Sequence, residues 1–270
     1  MGKMFRFVPL SLVGLPAVLL SACGGGGGNE VQSAVVPGVA LAASADHFSQ
    51  DVSSMTGKFT MKFTIGGTSV EMQGNYSFEA PNRGYLTMDI FGQELEMLML
   101  PPDFYVYLPD QRWYQVDSNA WGNVNLNKFE KYADSRGPID YAATAKGMKG
   151  VSQLPDDAID GKPYLHYGGD VDFSALADEV SECNVDPGDL ENAKQTVNAV
   201  RVDAWVDKDT YLPRRLNMVV SEKPDNGPEV RLDFSMDFLQ YSQPVDIPAA
   251  PSNAHPLSGL TGGQSSAACQ

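Results

Sequence analysis

Apolar and polar residues alternate with a period of two over long stretches of the chain, beginning where Phe59, Met61, Phe63 and Ile65 fall between Lys58, Thr60, Lys62 and Thr64. That alternation predicts a strand with one apolar face. Gly66-Gly67 then supplies a turn, and Val70, Met72, Gly74, Tyr76 and Phe78 repeat the pattern, which predicts a hairpin. Leu86, Met88 and Ile90 make a third row, Leu95, Met97 and Met99 a fourth across a Gly92-Gln93 turn, and Phe104, Val106 and Leu108 a fifth before Trp113. Consecutive hairpins of this kind form an antiparallel meander. Alternation returns at Val151 and at Tyr164 to Tyr167, then in three later rows: Val200 to Val206, Leu216 to Val220, and Val230 to Phe238, where Arg231, Asp233, Ser235 and Asp237 take the polar positions.

Between the strands the period changes. Leu41, Ala45, Phe48, Val52 and Met55 are spaced by three and four, which predicts an amphipathic helix within Val39 to Met55. Ile139 to Met148, bounded by Pro138 and Gly150, reads as a second helix. Phe173 to Val180, capped by Asp172, and a segment opening at Asp186-Pro187 read as two more. About nine alternating strands carry far more apolar face than these short helices can cover. The expected fold is therefore α+β: a strongly curved antiparallel sheet, a half-barrel, wrapped around a few short helices with an apolar space between them.

The candidate lining of that space is rich in methionine, a flexible and polarizable side chain suited to irregular apolar partners. Phe59, Met61, Phe63, Met72, Met88, Met97, Met99, Met218, Phe234 and Met236 are the candidate ligand-lining residues. The same residues would serve equally to fill a solid core, and the pattern alone leaves both uses open.

The first 22 residues read as a signal rather than as structure. Lys3 and Arg6 precede an apolar run from Phe7 to Leu20 that is too short to span a bilayer. Leu20-Ser21-Ala22-Cys23 follows and looks like a bacterial lipobox, whose cysteine takes a diacylglyceryl group before cleavage. Residues 1–22 are thus the expected lipoprotein signal peptide and Cys23 the expected lipidation site. Residues 23–36, opening with Gly24 to Gly28, lack any apolar period and read as a Gly-rich tether. At the Gly-rich coil scaling its reach is roughly 20 Å, enough to hold a body just outside the lipid headgroups. Residues 37–245 are expected to form one domain, and the Pro-, Ala-, Ser- and Gly-rich stretch 246–270 a disordered tail.

Charge narrows the partners. The 270 residues carry 19 Lys and Arg against 34 Asp and Glu, a formal charge of −15, so nucleic acid is not an expected partner. Catalytic chemistry finds little support in the motifs, although a serine triad is recognised by geometry and not by sequence order. His47, His166 and His255 make no His-Glu-x-x-His motif and no Gly-x-Ser-x-Gly elbow is present, so the chain is read as a non-enzyme without cofactor or metal. Asp170-x-Asp172-x-Ser174 opens like a calcium loop, but Ala175 and Ser181 occupy its glycine and glutamate positions. Asp207-Lys208-Asp209-Thr210 reads as a polar turn whose carboxylates bond the backbone. Trp113, Trp121 and Trp205 read as packing or rim residues. With Cys23 lipidated, Cys183 and Cys269 remain, and an exported chain permits a disulfide between them.

Two segments carry a likeness to a known family. Asp160-Gly161-Lys162-Pro163-Tyr164 running into Tyr167-Gly168-Gly169-Asp170-Val171-Asp172, and Trp205-Val206-Asp207-Lys208-Asp209-Thr210-Tyr211-Leu212-Pro213-Arg214-Arg215, resemble the LppX/LprG-type bacterial lipoproteins, whose fold is similar to LolA and LolB. Leu100-Pro101 to Trp113-Tyr114 adds a hairpin of the same kind. The resemblance covers roughly residues 40 to 245. It implies binding of acyl lipid or glycolipid in an apolar cavity, and transfer at the extracytoplasmic face of the cell membrane, to which Cys23 would anchor the chain. The Met-rich rows and the acidic stretch from Glu179 to Asn192 depart from the family pattern, so the ligand type does not carry over. The competing expectation is an envelope interaction or sensor module with a protein partner and no lipid cargo, similar to the half-barrel regulator RseB.

Overall fold

The computed structural model describes residues 36–116, 139–171, 197–222 and 227–257. Within them the alternating segments pair into a single sheet with the strand order β12-β6-β5-β4-β3-β2-β1-β11-β10-β9-β8-β7. The strands are β1 (Ser54–Ile65), β2 (Thr68–Glu79), β3 (Arg83–Ile90), β4 (Gln93–Leu100), β5 (Asp103–Leu108), β6 (Arg112–Gln115), β7 (Met148–Ile159), β8 (Lys162–Val171), β9 (Val197–Val206), β10 (Pro213–Glu222), β11 (Val230–Tyr241) and β12 (His255–Pro256). Two meanders, β1 to β6 and β7 to β11, are joined edge to edge where β1 pairs with β11. Every described pairing is antiparallel except that of β12 with β6. The fold is the expected α+β half-barrel with two described helices, α1 (Pro37–Asp51) and α2 (Tyr141–Gly147).

Proline at its first position starts α1 without a side-chain cap, and Leu41, Ser44, Ala45 and Phe48 form its buried stripe. Asp140 caps α2 by accepting from the Ala143 N–H at 2.9 Å. The two helices pack together on one face of the sheet, where Phe48 meets Tyr141, Phe238 and Tyr241 edge to face at centroid distances of 5.3, 5.7 and 6.3 Å. A buried polar link ties them to the β9–β10 turn. Ser44 Oγ donates to the Tyr211 carbonyl at 2.7 Å, which leaves the Tyr141 hydroxyl to donate to Ser44 Oγ at 2.9 Å. Burial pushes the Tyr141 hydroxyl well above its ordinary pKa, so it remains a donor at every physiological pH.

The curvature of the sheet has a local cause in β1. The register shifts between Thr56 and Gly57, so Met55 faces Tyr241 while Gly57 faces Phe238. This bulge absorbs the break in period between Phe238 and Tyr241 and increases the twist. A Cβ on Gly57 would lie 2.2 Å from the Tyr76 ring, and one on Gly74 2.5 Å from the Phe59 ring. Both glycines let an aromatic side chain from the neighbouring strand lie flat across the backbone.

Three differences from the sequence expectation stand out. The β3–β4 turn is Phe91-Gly92 rather than Gly92-Gln93, because Ile90 pairs with Gln93 and leaves a two-residue loop with φ of 55° and 79°. Strand β7 begins three residues before the expected Val151, and its two register shifts hide the alternation. Residues 246–257 do not form a loose tail. Ile247 is buried with Leu98 and Tyr105, Leu257 with Phe104, Val106 and Val116, and His255-Pro256 pairs with Tyr114-Gln115. Prolines in this stretch make it read as unstructured, yet an extended Pro-containing segment needs few hydrogen bonds of its own to lie on an apolar surface. The signal, the tether through residue 35, the segments around Trp121 and the acidic stretch, the helices expected at Phe173 and Asp186, Asp172 of the calcium-like run, and Cys23, Cys183 and Cys269 all lie outside the described residues.

The expected polar turn at Asp207 is present. Its Oδ1 accepts from the Asp209 and Thr210 N–H groups at 2.9 and 3.0 Å, and its other oxygen pairs with Lys162. Burial works against the Asp207 charge, but the Lys162 bond and the two backbone donors outweigh it and hold the carboxyl below its ordinary pKa of 3.8. A depressed carboxylate stabilises the fold above its unfolded pKa, and this contribution is lost as pH falls through the folded value. Asp207→Asn is expected to cost about 1.5–3 kcal/mol at neutral pH, the range for hydrogen bonds to a charged group. In urea unfolding, the gap between variant and native chain should narrow below about pH 4. A gap that stays constant into acid would show that the charge contributes nothing.

Candidate functional site

Residues directly opposite each other in adjacent strands share a face, so the register sorts every side chain. Phe59 lies between Gly74 and Met236, Met61 between Met72 and Phe234, and Phe63 between Val70 and Leu232. On one side the rows continue through Met88, Leu86, Met97 and Met99, and on the other through Met218 and Leu216. All ten candidate lining residues therefore fall on one face of the sheet. It is the face that carries α1 and α2, whose buried residues share a core with Phe59, Phe234 and Met236.

Burial divides the ten. Phe59, Phe234 and Met236 are buried under the helices and act as core, with Phe59 stacked on Phe234 at 6.3 Å. Met61, Met88 and Met218 are half-buried at the margin of this core. Met97 and Met99 are half-buried in a separate cluster with Phe104, Val106, Val116 and Leu257. Met72 is half-buried, and Phe63 is 38% exposed. Along β1 the same apolar face runs from Phe59 at 4% exposure through Met61 to Phe63 and then Ile65 at 44%. The row thus leaves the core and continues, still apolar, beyond the two described helices. Phe63, Ile65, Val70 and Leu232 stand outside the core cluster that α1 and α2 share with the sheet.

Electrostatics reinforce the division between faces. The opposite face carries Lys58, Lys62, Arg215, Arg231, Asp233 and Asp237, and Arg215 grips Asp237 through two bonds at 2.6 and 3.0 Å. Arg231 holds the Asp233 carboxyl below its ordinary pKa. Trp205 is buried with Ile159 and Tyr164 and stacks on His166 at 4.3 Å, so it packs the sheet, and His166 in turn lies 3.1 Å from the Asp203 carboxylate. Trp113 is half-buried against Leu98, Tyr105 and Ile247. His47 is exposed beside Asp51, and His255 lies in β12. Among the described residues no group of three His, Cys, Asp or Glu side chains is arranged to hold a metal ion. No described helix is long and apolar enough to cross a membrane.

No family model matches the chain, and no curated protein does. Solved structures do resemble it. The lipoprotein LppX of Mycobacterium tuberculosis aligns at 12% identity over 78% of this chain and 99% of its own, with a TM-score of 0.48. LprF from Mycobacterium bovis aligns at 12% identity over 79% and 96%, also at 0.48. A LolA superfamily protein from Nitrosomonas europaea aligns at 12% identity over 75% and 94%, at 0.30. These are proteins of the kind that the Gly-Lys-Pro-Tyr and Trp-x-Asp segments resemble.

Proposed function

We propose that the chain is a lipoprotein, tethered through Cys23 to the extracytoplasmic face of the cell membrane, that binds acyl lipid or glycolipid on the apolar face of its sheet and carries or presents it at the cell envelope. One observation carries this reading: the apolar row of β1 stays apolar as it leaves the core, while its exposure rises from 4% at Phe59 to 44% at Ile65. A sheet face that had only to complete a core would turn polar where the covering helices stop, as the opposite face is polar throughout β1. Hydrocarbon is the ligand such a surface accepts. It offers flexible thioether and branched side chains, and few hydrogen-bonding groups. The role is binding and transfer, without a catalytic step.

The test is lipid extraction and mass spectrometry on the protein purified from its own host with its signal sequence intact. The expected result is a recurring acyl lipid at a fixed ratio to protein. Stripped protein should melt lower than loaded protein, because a ligand that binds only the folded state stabilises it. Absence of lipid, with equal melting before and after delipidation and a stoichiometric protein partner in the same preparation, would overturn the carrier reading in favour of an envelope interaction module.

A further inference from the structure

The polar face of the same sheet has an organisation that lipid binding does not use. Register places Lys58 opposite Asn75, Asn75 opposite Thr87, Thr87 opposite Glu96, Glu96 opposite Tyr107 and Tyr107 opposite Trp113. A second row beside it runs through Thr60, Gln73, Asp89 and Glu94. Between these rows lies a depression of about 590 Å³, walled by Lys58, Gln73, Asn75, Thr87, Asp89 and Glu94 among others. That volume falls in the range of small-molecule sites, about 300–1,000 Å³. Its walls offer amide, hydroxyl and carboxylate groups with a single ammonium. Such a mixture of donors and acceptors suits ligand hydroxyl groups, each of which both donates and accepts. The two carboxylates disfavour phosphate and other anions.

An exposed aromatic residue adjoins the lining of the depression in the chain. Phe91 is 80% exposed, and it sits in the β3–β4 turn next to Gly92, which lines the depression. The Asp89 carboxylate accepts from the Gly92 N–H at 2.9 Å and fixes this turn. Phe91 has a φ of 55°, the left-handed region that Asn or Gly would occupy at less cost. Packing in the fold does not explain a phenylalanine here. At the far end of the first row Tyr107 and Trp113 meet at 5.4 Å. An exposed ring next to hydroxyl-matching groups is what a sugar chain needs, because the C–H face of a pyranose packs on an aromatic ring while its hydroxyls bond at the edges.

We propose that this face binds a neutral glycan chain, with a sugar ring on Phe91 and its hydroxyls on Gln73, Asn75, Thr87 and Asp89. The observations favour a glycan over a bilayer as the partner of Phe91. Asp89 and Glu94 flank its turn and the chain is acidic overall, so an anionic lipid surface would repel this end of the hairpin. The site lies across the sheet from the apolar face and stands whether or not that face holds acyl lipid.

The test is calorimetric titration of the mature full chain with mannohexaose, maltohexaose and chitohexaose, repeated with Phe91→Ala and Asn75→Ala. Both positions are exposed, so the variants should keep the native melting temperature. Saturable binding of at least one hexasaccharide, weakened about tenfold in each variant, is expected, a loss that corresponds to one good contact. Absence of saturable binding for all three sugars, or equal binding by native chain and variants, would overturn the proposal. So would loss of binding to phosphatidylglycerol vesicles by Phe91→Ala when no sugar binds, since the turn would then be a bilayer contact. Lipid content measured on the same preparations reports separately on the acyl-chain reading.

Discussion

Phe48→Ala is expected to lower the unfolding free energy by about 3–5 kcal/mol, the cost of removing a buried aromatic side chain and leaving its cavity. Phe48 is 1% exposed and touches both helices' attachment points: Tyr141 in α2, and Phe238 and Tyr241 in β11. Edge-to-face pairs of this kind contribute about 0.5–1.5 kcal/mol each beyond burial, so the loss should lie toward the upper end of the range. Denaturant unfolding followed by far-ultraviolet circular dichroism measures it. Val39→Ala, on the exposed side of the same helix, should change stability by less than about 0.5 kcal/mol. Similar effects at the two positions would show that α1 is not held through its aromatic contact.

The second large effect concerns ligand. Phe63→Glu should reduce the lipid recovered per chain by about tenfold or more, because an ionised carboxylate against hydrocarbon loses its hydration without gaining a partner. Phe63 lies between Val70 and Leu232 on the apolar face, while Lys58 and Lys62 project from the opposite side and cannot neutralise the new charge. At 38% exposure in the native fold, the position tolerates glutamate structurally, so the melting temperature of stripped protein should hold. Full loading of Phe63→Glu would place the hydrocarbon elsewhere and remove this row from the binding surface. A fall in stripped-state stability that matched the fall in loading would instead mark Phe63 as a core residue.

Much of the architecture was legible because burial on one face writes itself into a strand with a period of two. The hairpin of β1 and β2, the third and fourth rows, and β9 to β11 all stand where the alternation placed them. Legibility failed where hydrogen bonding continued without that pattern. The bulges in β7 shift its inward positions, and β10 begins at Pro213, three residues ahead of its first apolar alternation at Leu216. The segment 246–257 was missed for a different reason. Its Ile247 and Leu257 are isolated among prolines and small residues, and isolated apolar residues carry no period. Phe91 falls between the third alternating row and the expected Gly92-Gln93 turn, and no period marks it.

For the candidate site, the sequence by itself determined that ten apolar residues, seven of them methionines, would share one face of a sheet, since the pleat sends alternate side chains to the same side. It also determined the formal charge of −15, which opposes association with a phosphate backbone. Only the tertiary structure decided which of the ten are core. Where α1 and α2 lie across the sheet depends on contacts between residues far apart in the chain, Phe48 with Phe238 and Ser44 with Tyr141 and Tyr211, and no local period records them. The same holds for the depression on the polar face, which takes its walls from β1 to β4 and exists only once their register and twist bring Lys58, Asn75 and Thr87 into one row.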